Sequence, residues 1–337
     1  MKHLVFSIII PVKEINDYIR KETIPALLKQ DFKSFEIIVL PDKPSKEKFA
    51  KTLIIPTFPK TGPADKRDLG ASKAKGKILA FLDDDSYPVS GWLKKAKTVF
   101  EESDRIAAVC GPTLTPPHNN IKQKASGFVW STWLGSGGAG TYRCDIGKRR
   151  EVDDYPSVNL LVTKKDFLKV GGFNCRWWPG EDTKLCLDLT QKLGKKIIYE
   201  PKVLVYHHRR EILKPHLRQI SRYAIHRGHF AKVLPKTSLR FGYLLPTFFT
   251  LGLFIGPLLI VASYLIHWLV LFKVLVLIYL FFVFFYLGML FATGLKVVKQ
   301  EKNIKLSFLT MTAIFITHIV YGILFVRGFL ASSLTKN

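Results

Sequence analysis

The 337-residue sequence is short of acid: 51 Lys and Arg face 26 Asp and Glu, a formal net charge of +25. The shortage is sharpest at the end, where residues 241–337 hold one acid, Glu301, against seven Lys/Arg. Such an excess calls for anionic partners: nucleic acid, anionic lipid headgroups or phosphorylated substrates. Cysteine is scarce too. Cys110, Cys144, Cys175 and Cys186 form no CxxC pair and no metal-ligand spacing, which points to reduced thiols in a cytosolic compartment. No small-residue cleavage site follows MKHLVFSIII, whose short apolar run enters Pro11-Val12-Lys13-Glu14. It reads as a buried strand, not a signal peptide. No recognised nucleic-acid module accompanies the charge, so nucleic acid is set aside as a partner.

What is present centres on residues 77–85, KILAFLDDD. An apolar run bounded by Gly76 and a polar cluster marks a strand buried on both faces. Three carboxylates at its end repel one another and are costly to bury. In an extended chain Asp83 and Asp85 point one way and Asp84 the other. Either the trio is an acidic turn capping the next helix, or Asp83 and Asp85 grip a hard divalent cation that grips phosphates.

Strand candidates at 6–11, 36–40, 52–56, 77–85 and 106–111 alternate with helical stretches at 17–30, 64–75 and 92–102. That alternation predicts an α/β fold with a doubly wound, mostly parallel sheet. Ligands then sit beyond the carboxyl ends of the strands, where Lys13, Asp42 and Asp83–Asp85 gather. Residues 126–156 mix glycines, aromatics and charges without periodicity and read as a long loop, either lining a site or making a surface excursion. Pro179-Gly180 forces a turn, after which Glu181-Asp182 open a helix that stops at Gly194. Those acids either answer the helix dipole or supply a general base.

Residues 207–240 hold nine Lys/Arg against one acid and form a basic amphipathic segment suited to a membrane surface with anionic headgroups. Three apolar spans follow at about 243–266, 269–292 and 306–330. Lysines crowd 296–305, while the turn between the first two spans is almost uncharged. The positive-inside rule then puts the large domain in the cytoplasm and the C-terminus outside a multi-pass cell membrane protein. Three divisions are expected: 1–206, 207–240 and 241–337.

With SIIIPVKE, IPALLKQDFKSFEIIVLPD, GPADKRDLGASKAKGKILAFLDDD, VGGF, GEDTKLCLDL and HHRR in this order, the chain resembles the family 2 inverting glycosyltransferases of the GT-A fold over roughly residues 4–230. The tail and the LGSGGAGTYR stretch make it similar to membrane-bound members of the succinoglycan-biosynthesis type. The resemblance implies a nucleotide-diphosphate sugar donor, Mg²⁺ or Mn²⁺, and hexosyl transfer. It places Pro11, Lys13, Asp42, Arg67, Asp83 and Asp84 around the nucleotide sugar and Asp85 on the metal. His207 or His208, with His207 favoured, joins the metal. Asp182, after Glu181, matches the catalytic base. Gln219, Arg222 and Tyr223 resemble a Gln-x-x-Arg-Trp element with Tyr for Trp. The aromatics Phe128, Trp130 and Trp133, with Tyr142 and Arg143, either line the acceptor side or pack a core. The membrane context implies a lipid-linked or polysaccharide acceptor. The contrasting reading is a catalytically inert, membrane-tethered module that binds nucleotide sugar or lipid.

Overall fold

The computed structural model describes residues 4–334 except 59–60, 139, 174 and 178. The chain divides into two compact units. The first runs up to Pro117 and resumes over Tyr142–His208; the second takes His118–Thr141 and everything from Arg209.

The first unit is built on β1 (Phe6–Pro11), β2 (Phe35–Leu40), β3 (Thr52–Ile54), β4 (Ile78–Leu82), β5 (Ser86–Pro88), β6 (Ile106–Cys110), β7 (Thr113–Leu114), β8 (Arg150–Val152), β9 (Asn159–Thr163), β10 (Lys196–Tyr199) and β11 (Val205–His207). Eight of these form one sheet in the order β3-β2-β1-β4-β9-β6-β10-β8. The pairs from β3 to β4 are parallel, as is β6 with β10; β9 runs antiparallel to both its neighbours, and β8 closes an edge antiparallel to β10. The expected mostly parallel, doubly wound sheet is present. Alternation along β1 serves two cores. Ile8 and Ile10 pack on one face with Ile19, Leu27 and Trp92, while Ile9 packs on the other with Ala64, Ala71 and Leu185.

Three details depart from the sequence reading. The 17–30 helix widens to π geometry over Ile19–Thr23 before its α turn at Ile24–Leu28. A second sheet, β5-β11-β7, is too short to leave a periodic signal; it pairs Ser86 with His207. The stretch 126–156 is not a long loop. It holds helices Ile121–Ser131, Trp133–Ser136 and Thr141–Cys144, besides β8. The first starts at a capping box in which Asn120 and Gln123 bond reciprocally.

In the second unit the basic segment forms the helix Lys214–Val233. Ile220, Ala224 and Gly228 are buried, and Gly228 packs so closely on Ile304–Leu330 that an added Cβ would lie 2.0 Å from Phe325 O. Its apolar side is therefore covered by protein. Three helices are long and apolar enough to cross a membrane: Phe241–Leu265, Leu269–Glu301 and Ile304–Leu330. The first continues through Pro246 and Pro257. The second passes the expected stop at 292 and includes Lys296 and Lys299; the connection shrinks to Lys302, at φ 53°, and Asn303. Lysine is a good helix former, so the charge that ends an apolar run does not end the helix.

Candidate functional site

β4 is fully buried and ends at Leu82. The three aspartates then lie in a tight turn, not in an extended strand: the Ser86 N–H donates to Asp83 O at 3.2 Å and Ser86 Oγ donates to the same oxygen at 2.7 Å. The turn still separates the acids as the sequence suggests. Asp83 and Asp85 meet His207, with one ligand atom from each lying within 4.8 Å of the others. Asp84 is held away by Asn16 Nδ2 at 2.7 Å. Burial, with the charges of Asp85 and Asp83 beside it, pushes the Asp84 carboxyl up to about 7. Burial acts on Asp85 in the same sense, but the nearby imidazole of His207, 3.1 Å away, together with His208, outweighs it and holds Asp85 below its ordinary value. His208 itself takes another place. Its ring bonds Glu22 at 2.9 Å and stacks on Tyr18 at 4.2 Å, while its N–H donates to Asp85 O at 3.0 Å.

Two carboxylates and one imidazole suit Mn²⁺, and Mg²⁺ through the oxygens. The donor chemistry thus fits the expected ion.

Arg67, on the Pro63–Lys73 helix, is 5 % exposed and joins the two acidic motifs. Its Nη2 donates to Asp83 Oδ1 at 2.7 Å and its Nη1 to Glu181 Oε1 at 3.3 Å. Glu181 is buried, and burial with the charge of Asp182 raises its pKa despite Arg67. Asp182 is half-buried; its carboxylate accepts from Thr183 N–H at 2.8 Å and Ser157 N–H at 3.3 Å. The more accessible acid of the pair is the one expected as base.

At the ends of β1 and β2, the Asp42 N–H donates to Lys13 O at 2.9 Å. Pro11 is buried in β1, whereas the Lys13 side chain is exposed. Lys66, which the sequence reading passed over, is buried, pairs with Asp42 and bonds Val12 O at 2.5 Å. Asn16 was missed as well, and Asp68, which stands where the family's Arg-Asn element has Asn, was given no role; Asp68 Oδ1 accepts from Phe173 N–H at 3.0 Å, beside Gly172 at φ 72°. Neither leaves a pattern in sequence, because each acts across a long chain separation.

The expected acceptor-side group is divided. Trp130 packs edge-on against His216 at 5.9 Å and Tyr223 at 6.0 Å within the second unit, where Trp133, Gln219 and Arg222 also lie. Trp133, Arg222 and Tyr223 are exposed and Gln219 is half-buried. Tyr142 and Arg143 belong to the first unit and turn inward: Tyr142 meets Tyr199 at 5.3 Å, and Arg143 pairs with buried Asp154 at 3.1 Å. A buried carboxylate draws the guanidinium away from solvent.

The model of the glycosyl transferase family 2 matches residues 7–154. A pre-mycofactocin glycosyltransferase of Mycobacterium tuberculosis is 28% identical over 157 residues, covering 45% of this chain and 31% of the relative. A glucosyl-dolichyl phosphate glucuronosyltransferase of Haloferax volcanii is 21% identical over 205 residues, covering 55% of this chain and 63% of the relative. The chain thus spans about a third of the first relative's length and under two thirds of the second's. Among solved structures, S. aureus TarS 1-349 in complex with UDP aligns at TM-score 0.44 and 18% identity, covering 66% of this chain and 65% of that one.

Proposed function

We propose that the chain moves a sugar from a nucleotide-diphosphate donor to a hydroxyl of a lipid-linked or polysaccharide acceptor, with inversion; the match of residues 7–154 to the glycosyl transferase family 2 model and the mostly parallel sheet support the reading. The observation that carries the reading is Arg67, which bridges Asp83 and Glu181 and so ties the acids of two distant motifs into one site. Asp83, Asp85 and His207 are the residues that would hold a divalent cation, which when bound neutralises charge on the departing diphosphate. Arg67 adds fixed positive charge on the same side.

Asp182 takes the acceptor proton. The acceptor oxygen bonds the anomeric carbon as the carbon–oxygen bond to the diphosphate breaks, and the nucleoside diphosphate leaves with the electron pair. One base and direct displacement invert the anomeric centre. General base catalysis of this kind contributes ~10²–10⁴-fold.

The three span-length helices favour an acceptor already in the membrane, with the first unit on the cytoplasmic side, the C-terminus outside and anionic headgroups near the Lys214–Val233 helix. The haloarchaeal relative, whose name specifies a dolichyl-phosphate-linked sugar, supports that acceptor class.

The test is nucleoside diphosphate release by membranes holding the protein, across UDP- and GDP-sugars with Mn²⁺ or Mg²⁺. Release with one donor, abolished by chelator and reduced ~10²-fold or more in Asp182→Asn, is expected. Release that Asp182→Asn leaves near wild type removes the base assignment. No release even with lipid extract as acceptor favours the inert binding module.

A further inference from the structure

Beneath the proposed base lies a charged contact that the reaction itself does not use. Asp154 is 2 % exposed. Its Oδ2 accepts from Arg143 Nη2 at 3.1 Å, its backbone oxygen accepts from the same nitrogen at 2.9 Å, and its Oδ1 accepts from Thr183 Oγ1 at 2.9 Å. Thr183 is buried and follows Asp182 directly; its N–H is the one that donates to Asp182 Oδ1.

A buried ion pair is weak evidence for stability, because well-packed apolar side chains of similar volume usually serve as well. Its position suggests another use. The helix Glu181–Leu187 begins at Gly180, which has no side chain to cap it. The first turn therefore takes its orientation from contacts made by its own side chains, and the Thr183 hydroxyl is anchored on an acid that Arg143 holds in place.

We propose that Asp154, fixed by Arg143, is a positioning residue that acts through Thr183 Oγ1 to hold the first turn of this helix, and so aims the Asp182 carboxylate at the acceptor hydroxyl. The inference rests on Asp182 being the base. It also gives Arg143 a role different from acceptor contact: the side chain works inside the first unit.

The experiment is steady-state kinetics of full-length protein in membranes for Thr183→Val, Thr183→Ser, Asp154→Asn and Asp182→Asn. Thr183→Val keeps the shape and loses the hydroxyl. It is expected to lower kcat roughly 10–100-fold, the scale of a base displaced by about 1 Å, with donor KM changed less than about 2-fold. Thr183→Ser keeps the hydroxyl and is expected within about 3-fold of wild type. Asp154→Asn, whose amide oxygen can still accept from Thr183 Oγ1 but which loses the charge that holds Arg143, is expected between Thr183→Ser and Thr183→Val. A Thr183→Val kcat within about 2-fold of wild type overturns the inference, even if its melting temperature falls. So does a loss shared equally by Thr183→Ser, which would mark a packing defect. If Asp182→Asn keeps its turnover, the base reading fails and takes this inference with it. If Asp182→Asn loses turnover while Thr183→Val does not, only the positioning role fails.

Discussion

At the scale of single residues, the three consecutive aspartates have three different surroundings, and two of them make predictions of their own. Asp85 faces His207, so Asp85→Asn should abolish stimulation by Mn²⁺, measured as the ratio of diphosphate release with and without the ion. Asp84 is raised to about 7 from an ordinary 3.8, so the folded state binds the extra proton between those values. Stability therefore falls as pH rises through that window and levels off above it. With chelator present, Asp84→Asn should melt like wild type near pH 4 and higher than wild type above pH 7, by several degrees for a gain of about 2 kcal/mol. A constant difference across the range would show that Asp84 does not titrate there. The acids and His207 were legible because their residue types demand solvent, a partner or an ion wherever they fall. Lys66 and Asn16 were not, since lysine and asparagine mostly lie at surfaces and nothing local marks these two as buried partners.

At the scale of elements, the apolar strands and long helices were readable because period and length are local properties. Contacts between elements were not. The aperiodic glycines and aromatics after 126 concealed the end of a helix whose start, Asn120 with Gln123, is a local cap signal overlooked in favour of composition. The Lys214–Val233 helix shows the same limit: its basic side is legible, its close approach to Ile304–Leu330 is not. Gly328 sits at that contact, where an added Cβ would lie 2.0 Å from Ile225 O. Gly328→Leu should separate the two helices and cost roughly 1–3 kcal/mol or more, seen as a lower melting temperature in detergent. Gly91→Ala, at a glycine whose Cβ would meet nothing within 4 Å, is the control and should change little.

At the scale of the molecule, the divisions expected at 206 and 240 follow composition, whereas the structure assembles the second unit from two separated stretches. Ala125 and Val129, from the inserted stretch, share a core with Ile212, Val297, Leu306 and Ile314. A chain ending after residue 208 keeps the inserted stretch and loses Ile212, Val297, Leu306 and Ile314 from the core it shares. Size-exclusion chromatography should show it aggregated, and replacing 118–141 by a short polar linker should restore a monomer. If the uncut insertion proves soluble by itself, its core is dispensable. The same arrangement imposes an order on synthesis. The helix Ile121–Ser131 leaves the ribosome roughly 170 residues before Ile304–Leu330, which at ~5–20 residues per second is a wait on the order of 10–35 s. Until then its apolar side lacks the cover of Leu306 and Ile314, so the interval before the last span emerges is when this chain most needs a chaperone or the membrane itself to shield it.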